Sequence, residues 1–540
     1  MKTYYLLLIF SLSLFMSSCS YYFGSSWRIK PDKHTLLQDE KIIPVSQRID
    51  TGNQLVKNWA AKNLPDWKTE GKVAAPRVIL GKLLTHTDIE KVNQYLADKK
   101  PWGTNGTDWA FNPHGDYDFS EVPLVTMLYL FGDKPELLYS ATKENLLNNL
   151  LTHSGNKTHE RTPRMLGLMR ETENHILMGE TSRYLKNQWL QEHGDTSWRY
   201  DNQRNGLNGW WMACLNQKLE RGFFEFNANP YAGYSLTALL TFYTYCHTKE
   251  VKEKCGAVLN DVFARYAQGS LQQRRYPPFR RRMERASREN FSDDPVTSIV
   301  QTLLAKQRKH ASVVPSKEHQ HHALLTLLST YQLPDSTVDL LDGKKEPFYK
   351  QAGHGYRSCP EIYSGNADYV LSAGGAQRGR ISQISARPIV LFLNDSAAEL
   401  KQCFHIPGKG KMKHWNMSGV YKQFACGHHP VVIPPQYKPE YEEGGWMCFR
   451  PYASKKFFVL VYNAADYGLL AVIPESISSP QNLVRLAIAL NASGDLKQHA
   501  ILPFAEPLKI RYQLNAPKNK WVIESVNGEE QNRKVDRWAY

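Results

Sequence analysis

The sequence predicts an all-α domain followed by an antiparallel β-sandwich, and two observations predict it. Between about Asn53 and Tyr331 apolar residues recur at helical spacing, broken by loops rich in Gly, Asn and Pro. Beyond about Lys344 they fall into short β-rich runs separated by Gly, Pro and Asn turns. Helices first and strands second argue two segregated units of an α + β protein. A chain of 540 residues has ample length for two cores, and 42% hydrophobic with 22% charged residues excludes a wholly disordered chain.

In chain order, residues 1–19 read as a leader and 20–52 as a linker. The helical domain is expected over 53–340 and the β-domain over 345–540, with the boundary between Pro334 and Phe348. Val122, Leu124, Val125, Leu128 and Phe131 mark one helix, and Leu137 to Leu150 carries another stripe. Ile176, Leu177, Tyr184, Leu185 and Trp189 predict an amphipathic helix ending near Leu190. Further helices are expected over Asn205–Lys218, Tyr234–Cys246, Glu250–Gln268, Pro295–Lys306 and His322–Tyr331, with no fixed repeat that would make a solenoid. Trp210-Trp211 reads as core. Strands are expected at Tyr369–Leu371, Pro388–Leu393, Val431–Ile433, Phe457–Tyr462, Leu469–Ile473 and Trp521–Ile523. Asn527-Gly528 marks a tight hairpin.

The first residues give the address. Met1-Lys2, an apolar run from Tyr4 to Met16 and Ser17-Ser18-Cys19 make a secretory signal too short to be a spanning helix. Cysteine after two small residues resembles the lipobox of bacterial lipoproteins, which implies lipidation of Cys19 and an anchor in a bacterial membrane. Lys+Arg 67 against Asp+Glu 52 leaves +15, a surplus that favours an anionic partner. Export argues against nucleic acid and turns that surplus toward an acidic glycan. The seven remaining cysteines show no disulfide framework, although Cys246 with Cys255 or Cys403 with Cys426 can form single bridges.

Chemistry is expected where three polar, aromatic loops each open a helix: Trp109–Asp118, Arg170–His175 and Gly222–Tyr234. A cleft at one end of a helical barrel needs such loops. Asn, His and Tyr together suit β-elimination from a uronic acid. An amide such as Asn174 hydrogen-bonds the C5 carboxyl group and stabilises the enolate-like state. His175, with an ordinary pKa near ~6.5, suits the base. Tyr231, near ~10, suits the acid toward the departing O4, and a neighbouring Arg would bring it into range as a base. Tyr234 or Tyr243 is an alternative ring.

The Asn174-His175 pair with Tyr231 downstream resembles polysaccharide lyases of the oligoalginate-lyase and heparinase II/III-like type. That resemblance implies an N-terminal (α/α) toroid, a C-terminal β-sandwich, and a second tyrosine from the β-domain, with Tyr356 and Tyr363 as candidates. Substrate contacts are expected from Asn112, Asp116, Tyr117, Arg170, Glu173 and Tyr234. Arg170 and Glu173 also orient the pair. The arginine-rich stretch Gln272–Arg288, including Arg280 and Arg281, is expected to guide the polyanion or to pair with its own acids.

Two other classes stay open. Glu171, Glu173, Glu225, Asp116 and Asp118 supply enough carboxylates for a glycoside hydrolase, and a glycan-binding lipoprotein needs only rings and arginines. No cofactor or metal is expected. Cys403, His405, Cys426, His428 and His429 give a weak zinc signal without CxxC or HExxH spacing.

Overall fold

The computed structural model describes residues 53–534 apart from 71, 102–115, 152–170, 280–289, 309–318, 354–359, 375–387, 408–417, 515 and 517–519. Its first half is helical: α1 (Gln54–Ala60), α2 (Trp67–Glu70), α3 (Ala74–Leu84), α4 (Ile89–Ala97), α5 (Asp118–Phe131), α6 (Ser140–Asn145) and α7 (Glu173–Glu192). Then follow α8 (Leu207–Arg221), α9 (Tyr231–Tyr245), α10 (Lys249–Gly269), α11 (Pro295–Gln307), α12 (Gln320–Leu327) and α13 (Asp335–Asp342). Helix α3 packs on α5, α5 on α7, α7 on α9 and α9 on α12, and α12 returns to α3 and α1. The contacts close a ring, a helical toroid, with α4, α8, α10 and α11 packed against its members or one another. Among the described residues no helix is long and apolar enough to cross a membrane.

Helix α7 departs from the amphipathic expectation. Apart from His175, every residue from Glu173 to Trp189 is buried, polar ones included. Buried polar groups are tolerated when they find partners. Gln188 Nε2 donates to the Tyr245 carbonyl at 2.9 Å and to Tyr129 Oη at 2.7 Å. Lys186 Nζ reaches the Leu151 carbonyl at 2.6 Å, and Asn187 Nδ2 reaches Asn202 Oδ1 at 3.0 Å. Neighbouring elements thus satisfy Gln188, Lys186 and Asn187 in the C-terminal half of the helix. Trp210 and Trp211 are core, with Trp211 stacked on Phe242 at 4.0 Å.

The second half holds three antiparallel sheets. One has the order β1 (Phe348–Gly353), β2 (Pro360–Gly365), β3 (Tyr369–Ala373), β4 (Ile389–Leu393), β5 (Phe404–Ile406). The next combines β6 (Ser418–Tyr421), β7 (Phe424–Gly427), β8 (Tyr441–Glu443), β9 (Trp446–Phe449), β10 (Phe457–Asn463) and β11 (Gly468–Pro474) in the order β6-β7-β11-β10-β9-β8. The last runs β12 (His499–Leu502), β13 (Leu508–Tyr512), β14 (Ile523–Val526), β15 (Glu529–Glu530). Leu371, Leu391, Phe424, Leu470 and Ile510 meet in one core drawn from all three sheets. Asn527 (φ 48°) and Gly528 (φ 87°) form the tight turn between β14 and β15, as the dipeptide requires. Val431–Ile433 makes only an isolated bridge, from Val432 to His405. A helix also interrupts the strands, α14 (Pro480–Asn491), with the Ser479 hydroxyl accepting from the Asn482 N–H at its start.

The first sheet is buried on both faces. Val370, Val390 and Phe392 point away from the β-core and pack with Leu271, Tyr276, Phe279 and Phe291. The start of the arginine-rich stretch is therefore a joint between domains. Arg274 donates to the Leu393 carbonyl at 3.1 Å and also to that of Ala397. Arg275 is buried, pairs with Asp294 and lies 4.5 Å from the Tyr266 ring centre. Both are engaged in the joint, and Arg275 realises the expected alternative of pairing with a nearby acid; Arg280 and Arg281 lie outside the described residues. Cys214, Cys246, Cys255, Cys403, Cys426 and Cys448 are free and buried, so neither expected bridge is present.

Asp294 also caps α11 through the Val296 N–H at 3.0 Å. Changing Arg275 to Met strands that carboxylate in the joint and should lower unfolding free energy by about 3–5 kcal/mol in denaturant titrations. Changing Asp261 to Asn loosens the partly exposed pair with Arg265 and should cost under about 1 kcal/mol.

Candidate active site

The ring helices begin at the same end. Lys72, before α3, pairs with Asp116, before α5, and its ammonium lies 4.4 Å from the Phe119 ring centre. Phe119, in the first turn of α5, meets His175 of α7 edge to face at 5.2 Å and Tyr234 of α9 at 4.4 Å. Tyr234 in turn meets His322 of α12 at 4.6 Å. Each residue lies in or beside a first helical turn, where backbone N–H groups are free and the helix dipole is positive. Five such termini, α3, α5, α7, α9 and α12, make an end of the toroid suited to negative charge.

His175 is held by Asp118, whose Oδ2 accepts from Nδ1 at 2.7 Å. Both side chains are nearly buried, at 11% and 8% exposure. Burial alone would lower the imidazole pKa. The Asp118 charge, helped by Glu171 and Asp116, overrides it and raises the pKa to about 9. The ring is therefore an imidazolium at neutral pH, with Nδ1 committed and Nε2 left to act.

Asn174 is fully buried. Its Oδ1 accepts from the Thr172 hydroxyl at 2.9 Å, while Nδ2 has no hydrogen-bond partner. Tyr231 opens α9, half-buried, within electrostatic reach of Tyr234. Burial pushes the Tyr234 phenol up to about 12 against the pull of Arg77. Glu173 is not placed as a substrate contact. It is buried against Lys218 and accepts the backbone N–H groups of Glu225 at 2.9 Å and Phe224 at 3.3 Å. It thereby fixes the loop that delivers Tyr231. Tyr117 likewise serves the fold, donating to the Leu150 carbonyl at 2.8 Å from a buried position.

The structure brings Asp116, Asn174, His175 and Tyr234 to one end, with Tyr231 beside Tyr234. Asn112, Arg170, Tyr356 and Cys19 lie outside the described residues. Tyr363 is buried, donates to Glu361 and packs against Gly269, so its phenol is engaged in the domain joint. A small cleft lies along a neighbouring face of α9, lined by Phe223, Glu225, Ala232, Leu236, Arg275 and Glu361. Asn174, His175 and Tyr231 are not among its walls. Sequence reasoning missed Asp118 as the partner of His175 and took it only as a spare carboxylate; its place at a helix start was the available signal. It also passed over His319, His321 and His322, which gather at the start of α12. Among the described residues the cysteines and histidines of the β-domain form no such group.

No family model and no curated protein matches this sequence. Solved structures that match include a crystal structure of heparinase III, with 8% identity, TM-score 0.32, and coverage of 95% of this chain and 94% of that one. Another is a heparinase III with methylated lysines, at 11% identity and TM-score 0.32, covering 95% of this chain and 85% of that one. Likeness at this level carries no inference about activity.

The pKa of His175 is raised on folding, so its pairing with Asp118 stabilises the fold in full below about 6.5, and that contribution is lost as pH rises through about 9. Thermal melts between those values should show a steeper loss of stability in the wild type than in Asp118→Asn. Parallel slopes would mean that the pair is not coupled as described.

Proposed function

We propose that this protein is an exported polysaccharide lyase, anchored to a bacterial membrane through lipidated Cys19, that cleaves a uronate-containing acidic polysaccharide by β-elimination. The observation that carries the reading is the start of α7, where Asn174 Nδ2 is buried without a hydrogen-bond partner and the next residue in sequence, His175, is an imidazolium held by Asp118. An unsatisfied buried donor next to a fixed cation suits a carboxylate ligand. The positive helix termini and the overall charge of +15 favour the same class of substrate.

In this reading Asn174 and His175 Nε2–H hold the C5 carboxyl group and stabilise the charge that develops when the C5 proton leaves. Tyr231, as phenolate, takes that proton. The C5–H electron pair becomes the C4=C5 double bond, the C4–O4 pair departs with the oxygen, and the Tyr231 phenol returns its proton to O4. The raised pKa of His175 assigns it the cationic role instead of the base expected from the sequence. A hydrolase is less well supported because three of its five candidate acids are held in ion pairs: Asp118 with His175, Asp116 with Lys72 and Glu173 with Lys218.

Incubation with a panel of uronate polymers should yield product that absorbs in the ultraviolet at its new double bond. New reducing ends without that absorbance would replace the lyase by a hydrolase, and retention of intact polymer by a binding protein. Tyr231→Phe should lower turnover by about 10²–10⁴-fold while sparing substrate binding, the range for loss of a proton-transfer group. Activity should fall as pH rises through about 9, when His175 loses its proton. In Asp118→Asn that alkaline limb should move to lower pH, because burial then acts without an opposing charge.

A further inference from the structure

The start of α12 carries His319, His321 and His322, whose ligand-capable nitrogens all lie within 4.8 Å of one another. His319 Nε2 donates to the Asp293 carbonyl at 3.0 Å, which fixes the tautomer and leaves Nδ1 as a lone pair. That Nδ1 is buried and has no hydrogen-bond partner; the same holds for His321 Nε2 and for both ring nitrogens of His322. Four orphaned nitrogens on three adjoining rings are costly in a protein interior, and a metal ion would take up one lone pair from each ring. Tight placement is built into the sequence around them. Gly233 of α9 lies so close that a Cβ there would meet His322 Nε2 at 2.4 Å. Asn229 Nδ2 donates to the same Asp293 carbonyl at 2.5 Å, tying the loop before α9 to the α12 start.

We propose that His319, His321 and His322 form a binding site for a late first-row divalent metal ion, zinc being the best fit to three imidazoles. Zinc takes imidazole nitrogens at ~2.0–2.1 Å, so its donors stand about 3.4 Å apart in a tetrahedron. The present spread of up to 4.8 Å is wider than that, so metal binding requires the rings to turn toward one another. Burial, with Arg77 and Lys62 nearby, holds His321 well below the ordinary imidazole range, and His322 is depressed in the same direction, so both are the neutral ligand form. Those two cations oppose a metal ion electrostatically. Arg77 is turned onto carbonyls, donating from Nε to His321 O at 3.0 Å and from Nη1 to Val73 O at 2.9 Å. The carboxylates of Asp293 and Asp294 act on His319 with the opposite sign. Hydrogen bonding of His319 to a carbonyl is the outer-shell support that metal-bound imidazoles usually have. Three protein donors leave a fourth position for water or another oxygen ligand. The site stands across Tyr234 from His175, and the proposal does not depend on the lyase reading.

The test uses the full chain, stripped with a chelator and titrated with Co(II) and Zn(II). One equivalent of Co(II) should give visible bands of a four- or five-coordinate ion, displaced by one equivalent of Zn(II). X-ray absorption of the zinc form should show nitrogen and oxygen donors only, and zinc should raise the melting temperature. His319→Gln and His322→Gln should each weaken Co(II) affinity at least tenfold, whereas His428→Gln in the β-domain should leave it unchanged. If a histidine variant fails to fold, the donor set of the wild-type zinc form decides. No stoichiometric uptake by the wild type, sulfur donors, or equal uptake by folded His322→Gln would each overturn the site.

Discussion

Ring closure is the constraint on which the rest of the molecule depends. Helix α12 packs back on α3 and α1, and contacts among Lys72, Asp116, Phe119, His175, Tyr234 and His322 gather the starts of α3, α5, α7, α9 and α12 at one end. The polar residues of this end are not a surface decoration. They occupy the place where several backbones leave N–H groups unsatisfied together. Asp116 and Asp118 answer that positive field from within the chain, while Asn174 keeps a donor unanswered.

Charge at this end is arranged as coupled opposites. Lys72 faces Asp116, His175 faces Asp118, and Arg77 stands near Tyr234. A buried imidazole alone would be neutral; one beside a carboxylate becomes a fixed cation without a long, flexible side chain. Glu173 adds a mechanical element by gripping the loop that precedes α9 through backbone N–H groups. His175 and Tyr231 thus stand on elements joined through one buried acid, and their relative positions do not rest on loop contacts alone.

Much of this was legible in residue order. Helix periodicity located α8 to α11 to within a few residues, and Asn527-Gly528 specified its turn by backbone demand alone. What escaped reading shares a physical cause: a side chain's type does not disclose its partner. An amphipathic α7 was expected, yet carbonyls on neighbouring elements let Gln188 and Lys186 be buried as well. Arg274 and Arg275 read as guides for an anion or as partners of nearby acids, and the sequence did not show that the joint would supply carbonyls to one and Asp294 to the other. Helix α14 carried its signals, a serine cap and proline in the first turn, and was lost among surrounding strands. The gathering of His319, His321 and His322 needed the bend at the α12 start, which spacing in sequence does not reveal.

The doubly covered first sheet has a consequence for domain exchange. Neither half of this chain can be exchanged for a foreign module, since Val370, Val390 and Phe392 would face water once Tyr276 and Phe279 were taken away. A chimera that exchanges one half should therefore keep the Leu271–Phe279 segment together with the sheet it covers.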